Sequence, residues 1–202
     1  MKASCLDAAR HCALKALACM LAVGALAAAR AQAEEAPALT DRGLALAQGG
    51  RPQEAAKLWR QALEESPGYF PALFNLGYMH FSAGRFAQAA PLLERAAAAS
   101  PNDFNAHYLR GAAAQKLGRG DEALRAWRSA LRLKPGHFKL MQVMAVEFGK
   151  GRYHREAADI AMRALRLQPE IEDLHYMAIH ACREAGNLGA GLGLASRAAK
   201  RF

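Results

Sequence analysis

From residue 36 onward, apolar residues recur three and four positions apart over stretches of about 12–15 residues. Glycine and proline interrupt these stretches at regular intervals. Few segments alternate apolar and polar residues over strand length, so the pattern predicts helices and no sheet. The prolines Pro67, Pro101, Pro135 and Pro169 are each 34 residues after the last. Three of them are followed by a phenylalanine, in "SPGYF", "SPNDF" and "KPGHF". The fourth, in "QPEIE", is not.

Laid out in blocks of 34 with proline at column 32, the chain divides into 36–69, 70–103, 104–137 and 138–171, with an incomplete 172–202. Column 8 reads Gly43, Gly77, Gly111, Ala145, Ile179. Column 20 reads Ala55, Ala89, Ala123, Ala157, Gly191, and column 27 is alanine throughout (Ala62, Ala96, Ala130, Ala164, Ala198). Column 24 carries Trp59, Leu93, Trp127, Ala161, Ala195. A glycine turn lies midway in each block: "GGRP", "AGRF", "LGRG", "KGRY" and "AGNL", the fourth one residue early. Each block therefore predicts two helices. Glycine closes the first, because it tolerates the left-handed conformation of a C-cap. Proline ends the second. Helices this short are marginal alone in water. One block cannot bury its own apolar face, so the blocks must stack.

Composition fits this picture. The chain is 52% hydrophobic but only 7% aromatic, so its core must come from close packing of small side chains. Alanine is also the best helix former.

The first 33 residues follow a different pattern. Lys2, Arg10 and Lys15 precede an uncharged apolar run over 16–29, and "AQA" at 31–33 supplies small residues before the acidic pair Glu34 and Glu35. This order is that of a secretory signal peptide cleaved after Ala33, leaving 34–202. The apolar run is shorter than the roughly 20 residues of a membrane span. The alternative is an uncleaved leader that tethers the protein to a membrane. Cys5, Cys12 and Cys19 fall in the leader, which leaves Cys182 as the one cysteine of the mature chain, with no disulfide partner and no C-x-x-C motif. Export predicts a periplasmic location, or an inner-membrane anchor facing the periplasm if the leader is kept.

Net charge is +9, of which the leader supplies +3. The remaining charges are scattered, densest in "RAWRSALRLK" at 125–134. Cations near a helix C-terminus suit the dipole there. No aromatic and basic stripe tracks a nucleic-acid strand, so no nucleic-acid partner is expected.

The columns quoted above resemble the tetratricopeptide repeat, a 34-residue helix–turn–helix unit with small residues at columns 8, 20 and 27, an aromatic near 24 and proline at 32. The likeness covers about 36–202; the fourth block (Ala145, Ala161) and the fifth (Ile179, Gly191) depart from it. It implies an all-α, right-handed α-solenoid of four and a half to five repeats. It also implies that the first helices line a concave groove through columns 2, 5, 9 and 12. Those columns hold Phe74, Tyr78 and Phe81, then Asn105, Tyr108 and Gln115, then Lys139 and Gln142, then Tyr176, His180 and Arg183. The implied partner is a protein or peptide, with aromatic anchors at one end and polar contacts at the other. Such exported proteins serve envelope, pilus, secretion or cytochrome-maturation assemblies. The lysine at column 5 and asparagine at column 9 that clamp chaperone carboxylates are absent.

Catalytic chemistry has little support. Six histidines are spread over four blocks without an i, i+4 pair or H-E-x-x-H, and are expected at the surface or at caps. No G-x-S-x-G elbow, Walker A loop or Rossmann glycine loop occurs. The protein is expected to be non-catalytic and without cofactor, with a metal-dependent enzyme as the distant alternative. The second helix of the last block carries Gly189, Gly191 and Gly193, so it is expected to fray or to dock on a partner.

Overall fold

The computed structural model describes residues 35–151 and 153–201, and the expected signal segment 1–33 lies outside them. Ten helices and no strand occur among the described residues. α1 covers 35–48. It is followed by α2 (Pro52–Glu65), α3 (Phe70–Ser82), α4 (Phe86–Ala99), α5 (Phe104–Lys116) and α6 (Gly120–Leu133). Then come α7 (Phe138–Lys150), α8 (His154–Leu167), α9 (Glu172–Glu184) and α10 (Leu188–Arg201).

The turns within pairs share one device. Gly50, Gly84, Gly118 and Gly186 stand at φ between 72° and 76°, where an L side chain is strained. Each is followed by an amide that reaches five residues back, as Arg119 N does to the Ala114 carbonyl at 2.9 Å. Such bonds satisfy carbonyls that the helix end would otherwise leave open. The early glycine of the fourth turn, Gly151, has φ −77°, and Tyr153 N still bonds the Phe148 carbonyl at 2.9 Å. Between pairs, the residue before proline closes the second helix, as Ser100 N does on the Ala96 carbonyl at 2.9 Å. Asp103 then caps α5 by accepting from Ala106 N at 2.7 Å. His137 Nδ1 caps α7 by accepting from Leu140 N at 3.1 Å.

The chain forms two compact units, divided inside α3 after Leu76. In the first, Trp59 is buried and its indole N–H donates to the Thr40 carbonyl at 3.3 Å. A Cβ on Gly43 would lie 2.5 Å from that nitrogen. In the second, each helix from α4 to α10 packs on the next, and α7 also meets α9. Its core holds Trp127, Leu140, Met141, Met144, Leu174 and Cys182, together with Ala123, Ala130, Ala157 and Ala164 of columns 20 and 27.

Columns 8 and 24 trade volume. Glycine stands at column 8 where column 24 is Trp59, Leu93 or Trp127, and alanine stands there where column 24 is Ala161. A Cβ on Gly111 would overlap the Trp127 indole, and one on Gly77 would press on Leu93 at 3.0 Å.

His137 caps a helix and His180 is exposed, as expected, but three histidines depart from expectation. His80, His107 and His175 are buried. The Nε2 atoms of His107 and His175 bond the carbonyls of Pro101 and Pro169, at 2.9 and 2.8 Å. Both occupy column 4, so each ties a first helix to the proline loop before it. The carbonyl gives the Nε2 of each of these two buried rings a partner.

Candidate functional site

Each first helix of the second unit turns a stripe of apolar residues inward and leaves columns 2, 5, 9 and 12 outside it. On α7, Leu140, Met141, Met144 and Phe148 are buried, Lys139 and Val146 are exposed, and Gln142 is half-buried. On α9, Leu174, Ala178 and Cys182 are buried, whereas Tyr176, His180 and Arg183 are exposed. On α5, Asn105 is exposed, and Tyr108 and Gln115 are half-buried. Tyr78 is exposed and Phe81 half-buried, its ring edge-on to Phe86 at 5.4 Å. Phe74 belongs to the first unit, half-buried with its ring 5.7 Å from that of Phe70.

Four of these side chains are tied into the fold as well. Tyr108 stacks on Phe104 at 5.8 Å and lies 6.2 Å from the His137 ring. Its carbonyl accepts the Trp127 indole N–H at 3.0 Å, so the core tryptophan fixes the height of this tyrosine on α5. Gln115 reaches across to the next repeat and donates to Glu147 Oε2 at 2.9 Å. That carboxylate also receives Lys150 at 3.4 Å and sits at the start of α6, where a Cβ on Gly120 would meet its Oε1 at 2.9 Å. A helix N-terminus favours a negative group there. Arg183 is engaged by its neighbour Glu184 at 3.2 Å, and His180 stands 4.0 Å from the same carboxylate.

Where α7 and α9 meet, a cleft of about 450 Å³ opens. Ala145, Gly149 and Ala181 give it a floor without bulk, and Val146 and Met177 supply apolar walls. Lys150, His154, His180 and Glu184 form its polar rim. This arrangement accepts an apolar side chain flanked by polar backbone or charge. Of the predicted groove residues, the cleft contains His180 alone. Val146, Met177, Lys150 and His154 were missed. Val146 carried a signal, because it shares column 9 with Tyr78 and His180. Among the described residues, no three His, Cys, Asp or Glu side chains converge to hold a metal ion.

On α9, Cys182 is a buried free thiol. Burial pushes its pKa up, and the negative charge of Asp159 adds to the effect. It is thereby kept from the thiolate form that reactive cysteines need.

The family model for the tetratricopeptide repeat matches residues 40–104 and 74–138. No curated protein matches the sequence. Solved structures do match its fold. MamA aligns with 84% of this chain and 92% of its own at a TM-score of 0.70, with 16% identity. The RS-1 ArsTM double mutant of MamA aligns over 67% and 76% at a TM-score of 0.61, with 27% identity. YrrB, a TPR protein with an unusual peptide-binding site, aligns over 85% and 88% at a TM-score of 0.71, with 18% identity. The paired helices, the glycine and proline turns and the matched model agree: the chain belongs to the tetratricopeptide-repeat family.

Proposed function

We propose that this protein is a non-catalytic interaction scaffold that holds a segment of another protein against the outer faces of its first helices. The observation that carries the reading is the exposure of large apolar side chains at two repeat columns. Tyr78 is 53% exposed, Val146 46% and Tyr176 64%, although buried side chains stand one or two positions away on each helix. Aromatic side chains with a polar rim are the usual anchors of protein interfaces. The cleft beside Val146 and His180 gives one such anchor a place to enter. The peptide-binding site of YrrB lends support from a protein of like fold.

The same proposal places the scaffold in the bacterial envelope, with the leader cleaved after Ala33 and the repeats in the periplasm. Support comes from the order of basic, apolar and small residues in 1–33. N-terminal sequencing of the protein from the envelope tests it. A start at Glu34 fits the exported scaffold, whereas an intact leader turns the molecule into a tethered adaptor. No helix of the described residues is long and apolar enough to cross a membrane.

The binding face is tested by capture from envelope extract with the unmutated protein and with Tyr78→Ala/Tyr176→Ala. Removing true anchors should cost about 2 kcal/mol or more of binding. The helical circular dichroism should not change. A partner retained equally by both proteins removes this face from consideration. Tyr108→Ala is a poorer test, because its ring also packs on Phe104.

A further inference from the structure

The second helices carry grooves of their own. One lies between α6 and α8 with a volume of about 640 Å³, and another between α8 and α10 with about 580 Å³. They are built from the same repeat columns. Leu131, Arg132, Ile160 and Arg163 of the first groove recur 34 residues later as Leu165, Arg166, Leu194 and Arg197 of the second. In both, the aliphatic residues are almost wholly buried and form the floor, and the arginines stand exposed at the edge.

The two grooves differ in charge. The first contains Glu156 and Asp159 beside its arginines. The residues one repeat later are Ala190 and Gly193. The second groove is thus lined by Arg166, Arg197 and Lys200 with no carboxylate. None of these three makes an ion pair with a described residue. Gly193 leaves open space, because a Cβ there would meet nothing within 4 Å. Cations without a counter-ion among the described residues, over a recessed apolar floor, complement a ligand that is anionic and apolar at once.

We propose that the groove between α8 and α10 is a second binding site, and that it takes an acidic peptide segment with a large apolar side chain between its carboxylates. The apolar side chain enters over Leu165 and Leu194, and the guanidinium forks of Arg166 and Arg197 hold the carboxylates. A peptide fits better than a membrane surface. Leu165 and Leu194 lie beneath the cations, only 6% and 2% exposed, where a flat bilayer face cannot reach them. The exposed Leu188 and Leu192 of α10 do not line the groove.

The test is fluorescence anisotropy on the full chain with a labelled peptide alternating glutamate and leucine. Its lysine–leucine counterpart and phosphatidylglycerol vesicles are run beside it. Ala190→Glu/Gly193→Asp rebuilds the carboxylates of the first groove without touching the floor. Gly193→Ala controls for the backbone, and Arg166→Gln/Arg197→Gln replaces the double variant if that fails to fold. The acidic peptide should bind and the basic one should not. Added salt should weaken binding. The charge-rebuilding variant should lose affinity by about tenfold or more. Gly193→Ala and Tyr78→Ala/Tyr176→Ala should bind as the unmutated chain does. Equal binding by the charge-rebuilding variant, loss of binding in either of those controls, or binding of vesicles alone overturns the proposal.

Discussion

Trp127 shows how much one residue decides in a core of small side chains. Its ring fills the space that Gly111 leaves, and its N–H holds the carbonyl of Tyr108. Gly111→Ala should therefore destabilise the protein by about 1–3 kcal/mol through overpacking. The same change should cost little in a Trp127→Ala background, where the ring is gone. Chemical denaturation of the two single variants and the double variant measures the coupling, expected at about 0.5–3 kcal/mol. Additive losses would mean that the two residues do not share this space. Cys182 carries a pH effect. Its folded pKa is raised above the ordinary value of 9.0, first by burial and then by Asp159. The protonated thiol therefore favours the folded state below that ordinary value, and the contribution is lost as pH rises through the folded value. Stability should fall more steeply on the alkaline side in the unmutated protein than in Cys182→Ala. Parallel pH profiles for the two would count against it.

At the level of the helix, glycines of the same type do opposite work. Gly118 stands at φ +73°, where alanine is strained, and a Cβ would meet no neighbour. Gly118→Ala should cost about 1 kcal/mol. Gly193 lies inside α10 with open space around it, so Gly193→Ala should gain up to about 1 kcal/mol from helix propensity alone. Thermal melts of the two variants should move in opposite directions, and a shared direction would refute the distinction between cap and interior. The glycines of α10 were grounds to expect that it frays or docks on a partner. In the structure, Gly191 and Leu194 are buried, and a Cβ on Gly191 would stand 3.7 Å from Cys182, so α10 packs on α9 despite its composition. Propensity was overruled by tertiary packing, as it often is. Side chains near the helix ends also hold repeats together. Gln115 bonds Glu147, and Tyr153 donates to Asp121 at 3.4 Å, each pair 32 residues apart.

From α4 to α10, each helix is supported by its sequence neighbours, with α7 to α9 as the added contact. Stability in such an array is a sum of local terms, so it should not be uniform. Amide exchange should be slowest in α5 to α8, which carry Trp127, Leu140, Met141 and Met144, and fastest in α10. Uniform protection from α4 to α10 would show a single cooperative unit instead. The charge pattern belongs to this scale too. No short stretch of sequence marks the groove between α8 and α10 as cationic, because its arginines come from two helices and its distinction is the absence of two acids found one repeat earlier.

The sequence by itself determined the period, the helices, the turns and the columns that would be small. These follow from local rules: apolar spacing sets a helix face, glycine permits a positive φ, and proline ends hydrogen bonding. It also separated Lys139, Tyr176 and His180 from the buried side of their own helices, since 3.6 residues per turn fixes the angle of each side chain about its axis. Only the tertiary structure decided which of those faces meet. Gln115 finds Glu147, His107 and His175 turn inward onto proline carbonyls, and Val146 and His180 come to share a cleft. Periodicity gives direction around one helix. It does not give the distance to the next, which depends on how side-chain volumes such as those of Gly111 and Trp127 fit together.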